Sequence, residues 1–263
     1  MNNRYADGKL LARREGPVAI VTLNQPDKRN ALAKSMWRAL PELANDLEAE
    51  PGIRVVRICG AGDDAFSAGA DISEFERVYA DTASTDAYNR VVREGQAAIR
   101  YLNLPTIAEI SGVCVGGGMG LALACDVRFA TDTSRFAITP AKLGLAYSFE
   151  DTQQLVEKVG PARAKDILFT GRQLMADEAL SIGLIDRAVP ASELATCMDD
   201  YCALLCNASN ASIAVLKQTI NSIADGDTQA PRDLVAEFEA LFDGPHFKEG
   251  YRAFLAKRRP EFQ

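Results

Sequence analysis

The amino-acid sequence predicts an α/β fold followed by an all-helical C-terminal region. Short β-branched runs alternate with segments of helical periodicity along the N-terminal part of the chain. Two glycine-rich turns each come directly after a predicted strand. Over residues 193–258 the periodicity is helical throughout, and no strand pattern interrupts it. Together these observations favour an α/β core with a helical appendage.

The first elements are a predicted pair of strands, 9–14 and 18–24, which a Gly-Pro turn separates. A helix is predicted over 35–48, because its apolar residues recur three and four positions apart. Pro41 lies in the interior of this helix, where proline removes a backbone hydrogen bond. Residues 53–59 then have the pattern of a β-branched strand that ends at a glycine.

The middle of the chain continues the same alternation. We predict a helix over 84–102, one buried strand over 105–115, and a short Ala- and Leu-rich helix over 119–125. A strand near 127–131 follows, and an ordered loop near 136–149 comes after it. The glycine-rich turn between the buried strand and the short helix is the most distinctive feature of this part.

The last predicted elements are helical. Pro161 suits the first turn of a helix that ends at Gly171, and three or four helices occupy 193–258. No internal repeat, low-complexity run or linker marks an independently folded second domain. We therefore divide the chain into a core, 1–192, and a C-terminal helical region, 193–263.

Composition and charge describe a globular protein and disfavour two classes of function. The chain has 263 residues, of which 48% are hydrophobic and 25% are charged, as in proteins with a sizeable core. Its formal net charge of -7 disfavours nucleic acid as the main partner, because phosphate binding needs clustered Lys and Arg. No run approaches ~18 apolar residues, so no membrane span is predicted.

Cysteine and histidine usage indicates a cytoplasmic protein without a metal site. The six cysteines form no C-x-x-C pair, and most lie inside apolar runs, which is typical of reduced thiols. The N-terminal residues lack the apolar segment of a signal peptide. The single histidine, His246, cannot form a His-rich zinc site, so we expect no metal.

Two glycine-centred segments, 66–72 and 111–126, have the pattern of an oxyanion-binding site. Consecutive glycines allow the backbone to approach a ligand closely. The second segment also opens a predicted helix, whose free N–H groups and positive dipole end suit an oxygen that gains charge. Alternatively, these glycines serve only tight turns and packing. A dinucleotide site is disfavoured, because Leu121 stands where the last glycine of G-x-G-x-x-G belongs.

The sequence resembles the crotonase superfamily, also called the enoyl-CoA hydratase/isomerase family, along nearly its whole length. No single motif is specific, but the motifs share the family's order and spacing. The resemblance implies a spiral of ββα units, a trimer or dimer of trimers built by the C-terminal helices, and a CoA thioester substrate without a further cofactor. Besides the two glycine-centred segments, the matching residues are 30–32, 136–144, 168–171, 179–184 and 253–259.

The resemblance also assigns roles to individual residues. The backbone N–H groups of Ala70 and Gly117 would form the oxyanion hole for the thioester oxygen. The other assignments are contacts with CoA. They are Lys28 and Arg29 for its phosphates, Ala68, Asp71 and Ile72 for its arm, and Phe254 and Lys257 for closure over it. For the lysine and arginine residues among them, the alternative is that they are solvated surface residues without a CoA contact.

Two positions depart from the family pattern. Relatives that hydrate enoyl-CoA carry acid–base glutamates where this chain has Gly120 and Pro140. Neither residue can transfer a proton, and such a group contributes about 10²–10⁴-fold to the rate. The backbone donors of the oxyanion hole are unaffected, so an enolate can still be stabilised.

Four nearby side chains are candidates for the missing proton transfer. Tyr147 and Glu150 are the leading two. Tyr147 lies in a loop expected to face the acyl group, with a purely structural tyrosine as the alternative, and Glu150, just beyond this loop, either reaches the pocket or caps the following helix. Asp151 either reaches the pocket or caps a helix that begins near Thr152. Glu109 either functions from within its strand or pairs with an arginine.

The predicted function is that of an enoyl-CoA hydratase/isomerase-like enzyme that stabilises a thioester enolate with substitute acid–base groups. One alternative is a decarboxylase of the methylmalonyl-CoA type, which needs no strong base. A second alternative is acyl-CoA binding without turnover. A carboxylate in the pocket would favour the first function, whereas an aromatic pocket without carboxylates around Tyr147 would favour the other two.

Overall fold

The computed structural model describes residues 1–262, which form two β-sheets and a set of α-helices. Strands and helices alternate up to residue 189, and only helices follow, so the predicted α/β class with a helical C-terminal region is confirmed. The strands are β1 (Asn2–Tyr5), β2 (Leu10–Glu15), β3 (Val18–Leu23), β4 (Val55–Gly60), β5 (Ala65–Ser67), β6 (Thr106–Ile110), β7 (Val113–Val115), β8 (Val127–Thr131), β9 (Arg135–Ala137), β10 (Leu174–Met175) and β11 (Arg187–Val189).

Ten α-helices connect or follow these strands within the described residues. Three or four helices were predicted for the C-terminal region and four are present, and the first helix of the chain accommodates Pro41 in its interior. The helices are α1 (Lys34–Ala49), α2 (Phe75–Val78), α3 (Thr82–Arg100), α4 (Gly117–Ala124), α5 (Phe149–Thr170), α6 (Ala176–Ser181), α7 (Ala191–Cys206), α8 (Asn210–Ala224), α9 (Arg232–Asp243) and α10 (Pro245–Leu255).

The larger sheet has seven strands in the order β1-β2-β3-β4-β6-β8-β11. The first three strands are antiparallel neighbours, whereas β3, β4, β6, β8 and β11 pair in parallel. The smaller sheet has the order β10-β9-β7-β5, and its β9, β7 and β5 are parallel. Parallel neighbours need crossover connections, which explains the alternation of strands and helices.

The prediction of one strand over 105–115 is wrong. The structure divides this run into β6 and β7, which belong to different sheets. The division falls at Gly112, whose φ of +68° favours glycine. A side chain there would collide with the carbonyl oxygen of Asp64. Because the bend depends on this distant contact, the continuous apolar run gave no sign of it.

Two other segments contain more structure than predicted. The loop near 136–149 includes most of β9 and a 3₁₀ helix, Pro140–Leu143. The helix predicted from Pro161 is the second half of α5, which Gly160 (φ +77°) separates from an earlier half. The earlier half begins with Ser148 as its N-cap, and this half positions side chains of the candidate site.

The main core lies between the larger sheet and the helices α1, α3 and α4. On the opposite face, Leu194 and Met198 of α7 pack against Ile107 and Phe129 of the sheet. Each such fully buried side chain contributes about 1.5–3 kcal/mol to folding. The predicted boundary between residues 192 and 193 falls in the first turn of α7, and the division of the chain there stays a prediction.

Helices α8, α9 and α10 leave large apolar side chains exposed to solvent. They include Leu216, Ile220, Phe238, Phe242 and Phe254. No helix of the described residues combines the length and the hydropathy that crossing a membrane requires. The exposed side chains are therefore available to a partner surface.

Candidate functional site

Two parallel strands of the smaller sheet bring the glycine-centred segments together. β5 and β7 pair in parallel, with Ser67 opposite Cys114, so their carboxyl ends meet at the same edge of the sheet. Ala70 follows the end of β5, and Gly117 opens α4 just after the end of β7. The sheet topology therefore places the two predicted oxyanion donors in one part of the fold.

The backbone around Ala70 is fixed by Leu32. Leu32 donates its N–H to the Gly69 carbonyl oxygen at 2.7 Å, and its own carbonyl oxygen accepts from Asp71 N at 3.1 Å. These bonds flank Ala70 in a parallel bridge, so the Ala70 N–H points away from Leu32. Gly69 has a φ of +97°, and a Cβ on it would lie 2.9 Å from the Val115 carbonyl oxygen. Glycine is therefore required at that position.

The N–H of Gly117 lies in the first turn of α4, where no carbonyl within the helix can accept it. Gly116 turns the chain into this helix with a φ of +52°. A Cβ built on Gly117 would lie 3.6 Å from Ala70 N and 3.5 Å from Trp37 Cζ2. The two backbone donors are therefore neighbours, and the positive end of the α4 dipole favours negative charge beside them.

Both donors line a cavity of about 480 Å³. This volume lies in the usual range of small-molecule sites. Residues of α1, α3 and the loop before α5 complete the wall, which combines aromatic rings with carboxyl groups. The side chains that matter for its chemistry are Trp37, Tyr79, Tyr88, Tyr147, Glu150 and Asp151.

Asp151 is the buried carboxyl group of this cavity, with 6% of its surface exposed. Its Oδ1 accepts a hydrogen bond from Gln96 Nε2 at 2.7 Å, and its Oδ2 accepts one from Ser148 Oγ at 2.8 Å. Burial raises the pKa of Asp151 and outweighs the hydrogen bonds from Ser148 and Gln96, which lower that pKa. Ser148 also accepts from Asp151 N as the N-cap of α5. Ser148, rather than Asp151, is therefore the N-cap of α5, and of the two interpretations that the sequence left open, Asp151 reaches the pocket.

Tyr147 lies between Asp151 and the start of α4. Its hydroxyl donates to the Gly116 carbonyl oxygen at 3.1 Å. Burial, together with the nearby Asp151, raises the pKa of Tyr147 well above its usual value. The phenol consequently stays protonated at neutral pH and acts as a hydrogen-bond donor.

The other two carboxylates differ from Asp151. Glu150 lines the cavity, but its side chain is exposed at the rim. Glu109 lies in β6 and forms an ion pair with Arg57 at 2.9 Å, and Arg57 also contacts Asp199. The arginine-paired alternative for Glu109 is therefore the correct one.

Comparison with known proteins assigns the chain to a family. Residues 13–263 match the family model for enoyl-CoA hydratase/isomerase. The chain belongs to this family. Membership of this family indicates that the chain is an enzyme, because relatives that align with nearly the whole chain are named as enoyl-CoA hydratases.

The similarity extends over sequence and structure. A short-chain-enoyl-CoA hydratase from Clostridium acetobutylicum is 31% identical over 253 residues, which cover 96% of each chain. A solved enoyl-CoA hydratase/isomerase family protein from Hyphomonas neptunium has a TM-score of 0.92 at 40% identity, with 97% of each chain covered. An enoyl-CoA hydratase/carnithine racemase from Magnetospirillum magneticum has a TM-score of 0.93 at 33% identity and covers all of this chain and 97% of its own. The predicted crotonase fold is confirmed.

Of the residues predicted to contact CoA, those near Ala70 form one exposed strip. Lys28, Arg29, Ala68 and Ile72 are all exposed, whereas Asp71 is buried beneath them. Their side chains are thus accessible along the same stretch of chain that leads to Ala70. Phe254 and Lys257 lie at the C-terminal end of α10, exposed and outside the lining of the cavity.

Pro140 and Gly120, which the resemblance predicts to stand at the positions of the hydratase glutamates, have different surroundings. Pro140 begins a 3₁₀ helix and accepts a hydrogen bond from Leu145 N at 2.9 Å through its carbonyl oxygen. Gly120 is buried in α4 and faces the Asp151–Gln96 pair. The structure thus brings a carboxyl group beside Gly120.

Sequence reasoning missed Gln96 and did not assign Ser148. Gln96 is buried in the middle of α3 and belongs to no motif, so only the packing of α3 against α5 reveals its contact with Asp151. Ser148 had a recognisable signal, because Ser-x-x-Asp is the pattern of a capping box.

Proposed function

We propose that the protein hydrates a short 2-enoyl-CoA thioester through an enolate that the backbone N–H groups of Ala70 and Gly117 stabilise. The observation that carries the proposal is the position of these two donors side by side on one cavity. The thioester oxygen gains negative charge as the enolate forms, so fixed donors bind the transition state more strongly than the substrate. The similarity to a short-chain-enoyl-CoA hydratase supports this choice of substrate.

The proposed binding mode places CoA along the exposed strip beside Ala70. Lys28 and Arg29 supply positive charge for its phosphates, and Ala68 and Ile72 contact its arm. Asp71 acts beneath the surface, since it forms an ion pair with Lys28. The C-terminal residues Phe254 and Lys257 close over the bound CoA. The thioester is the substrate, and the proposal includes no cofactor or metal.

We also propose that the protein assembles as a homotrimer or a dimer of trimers. Supporting this, the rings of Phe238, Phe242 and Phe247 form a chain of edge contacts on α9 and α10 and stay more than half exposed. Apolar surface of this kind is stabilised when a partner covers it. A cytoplasmic location fits the six free thiols. The net charge of -7 disfavours nucleic acid as a partner.

The two alternatives, a decarboxylase of the methylmalonyl-CoA type and a binding protein without turnover, were expected to have an aromatic pocket without carboxylates. Asp151 makes this cavity different from that expectation, because its buried carboxyl group lies beside Tyr147. The cavity therefore favours proton transfer over either alternative.

The experiment that tests the proposal is hydration of crotonyl-CoA, followed by loss of the conjugated thioester absorbance. We expect saturable turnover, with a Kd for crotonyl-CoA that calorimetry measures independently. Binding without turnover would contradict hydration and leave acyl-CoA recognition intact. Turnover of a malonyl-type thioester instead would identify the decarboxylase alternative.

A further inference from the structure

Gly120 leaves a space that side chains from two other helices and the loop before α5 fill. An ideal Cβ on Gly120 would lie 2.5 Å from Asp151 Oδ1, 2.5 Å from Gln96 Nε2 and 3.1 Å from Tyr147 Oη. Any side chain at residue 120 would therefore displace these groups. The Asp151 carboxyl group lies where the first atoms of such a side chain would be.

We propose that Asp151 is the proton-transferring carboxylate of this site and that it acts from α5 in place of a side chain on α4. This inference rests on the proposed hydration reaction. Asp151 lines the same cavity as Ala70 and Gly117, so the acid–base group and the oxyanion donors are available to one bound acyl group. The exposed Glu150 next to it lacks both the burial and the fixed hydrogen bonds.

The hydrogen bonds of Asp151 orient its carboxylate and leave acceptor positions on both oxygens free. Gln96 Nε2 donates to Oδ1, and Ser148 Oγ donates to Oδ2. Each carboxylate oxygen can accept two hydrogen bonds, so each keeps one position for a proton from water or substrate. Gln96 and Ser148 are therefore positioning residues, because they fix the group that transfers the proton and need not touch the substrate.

The charges around Asp151 favour proton transfer in both directions. Burial raises its pKa, and so does Glu150 on the same helix. Tyr147 and, beyond it, Cys114 of β7 face the group as neutral side chains, since burial raises the pKa of both. Arg93 of α3 lines the same cavity, and α4 has no titratable side chain. A carboxyl group whose pKa is raised is better matched to acid–base work near neutral pH.

One carboxylate is sufficient to balance the reaction. Asp151 takes a proton from water while the water oxygen bonds to the β-carbon, and the C=C electron pair moves toward the thioester oxygen. The N–H groups of Ala70 and Gly117 stabilise the resulting enolate. The protonated Asp151 then returns its proton to the α-carbon, where the enolate electron pair forms the new C–H bond. The product is a 3-hydroxyacyl thioester, and Asp151 is ionised again.

The test compares wild-type hydration of crotonyl-CoA with three variants. Asp151→Asn keeps the size of the side chain, and an amide can accept from Gln96 and donate to Ser148, so the fold is retained. Glu150→Gln removes the neighbouring carboxylate. Glu157→Gln is the matched control, because Glu157 also joins α5 to α3, through Arg100 at 3.3 Å, and lies outside the lining of this cavity.

We expect Asp151→Asn to lower kcat by about 10²–10⁴-fold and to remove the acid limb of the pH–rate profile. The Kd for crotonyl-CoA should stay within about threefold of wild type, as should every parameter of Glu157→Gln. Full activity in Asp151→Asn would overturn the role of Asp151 while leaving the hydration proposal standing. A loss confined to Glu150→Gln would assign the proton to Glu150 instead.

Two further results separate the inference from the reaction on which it rests. A wild-type protein that binds crotonyl-CoA but neither hydrates it nor exchanges the α-protons of butyryl-CoA with deuterated solvent would overturn both proposals. Gln96→Leu removes a donor that lowers the pKa of Asp151, so the acid limb should move to higher pH. A lower kcat without any movement of that limb would contradict the positioning role of Gln96.

Discussion

Lys28 Nζ donates a hydrogen bond to Asp71 Oδ2 across 2.7 Å, which joins two residues matched to the CoA site. Ser73 donates to the other oxygen of Asp71 from both its N–H and its hydroxyl. Half of the Lys28 side chain stays exposed, whereas Asp71 is buried. Asp71 therefore holds Lys28 and the following turn in place, and only Lys28 is available to a phosphate group.

We predict that Lys28→Gln weakens binding of crotonyl-CoA by about 1.5- to fivefold, the range expected for an exposed charge pair. Calorimetry with CoA and 3′-dephospho-CoA thioesters measures the effect. kcat should not change, because the contact is the same in the ground state and the transition state. Lys165→Gln, which removes an exposed lysine on α5, is the control for net charge. An equal loss in that control would refute a direct contact of Lys28 with CoA.

The oxyanion donor at Gly117 can be removed without a bulky side chain. Proline is tolerated at the first position of a helix and has no N–H, so Gly117→Pro should lower kcat by about 10²–10³-fold. Gly117→Ala keeps the donor, and its Cβ would make an ordinary contact with Trp37 at 3.5 Å. Steady-state kinetics on crotonyl-CoA measures both variants. Similar losses in the two would show that space, rather than the N–H, matters at this position.

Asp151 links the proposed chemistry to the pH dependence of stability. Because burial raises its pKa in the folded protein, the folded state binds this proton more tightly than the unfolded state. This stabilisation is complete below the ordinary aspartate pKa and is lost as pH rises through the raised pKa. We predict that Asp151→Asn gains Tm relative to wild type between about pH 4 and about pH 7.5. Thermal unfolding of both proteins at the two pH values measures this gain. A difference in Tm between variant and wild type that does not change with pH would contradict the raised pKa.

Gly120 should resist even the smallest side chain. Its Cβ would overlap Asp151 Oδ1 and Gln96 Nε2, so Gly120→Ala should lower the free energy of unfolding by about 1–3 kcal/mol. The cost should shrink in an Asp151→Ala background, where part of the space is empty. Denaturant unfolding of the four proteins in this double-mutant cycle gives the coupling energy. Additive effects would mean that the two positions do not share a space.

The apolar side chains of α9 test the proposed assembly. Phe238 and Phe242 are 53% and 55% exposed and contact each other at 5.3 Å between ring centroids. Replacement of both by glutamate should shift the mass measured by light scattering from a trimer or hexamer toward the monomer, because charge is unfavourable in a covered apolar interface. An unchanged mass would place the interface on another surface. A wild-type monomer would contradict the assembly proposal itself.

Local sequence patterns were sufficient to predict those strands and helices whose formation does not depend on distant contacts. The paired strands β2 and β3 and the helix α1 follow from alternation and helical spacing. The break at Gly112 was not predicted, because it depends on the approach of Asp64 from a distant part of the chain. The same limit applies to Gly160, where one residue with positive φ separates two helical halves of α5.

The residues of the candidate site likewise fall into those that could be assigned from the sequence and those that depend on tertiary packing. The resemblance to the family assigned the two donors to Ala70 and Gly117, and the two parallel strands of the smaller sheet bring their segments to the same edge. The sequence favoured Glu150 over Asp151, whereas the structure buries Asp151 and leaves Glu150 exposed. Adjacent helical residues point about 100° apart, so the packing of α5 against α3 decides which one is buried.

In the proposed reaction main-chain atoms supply the two donors for the thioester oxygen, and this has a consequence for how such a protein can diverge. Substitutions other than proline change side chains and leave the N–H groups of Ala70 and Gly117 present, so the proposed enolate stabilisation is inherited with the backbone. The proton donor is a separate component that one helix can lose and another can supply. A lineage with this fold can therefore acquire a new reaction through a few substitutions around an unchanged electrophilic centre.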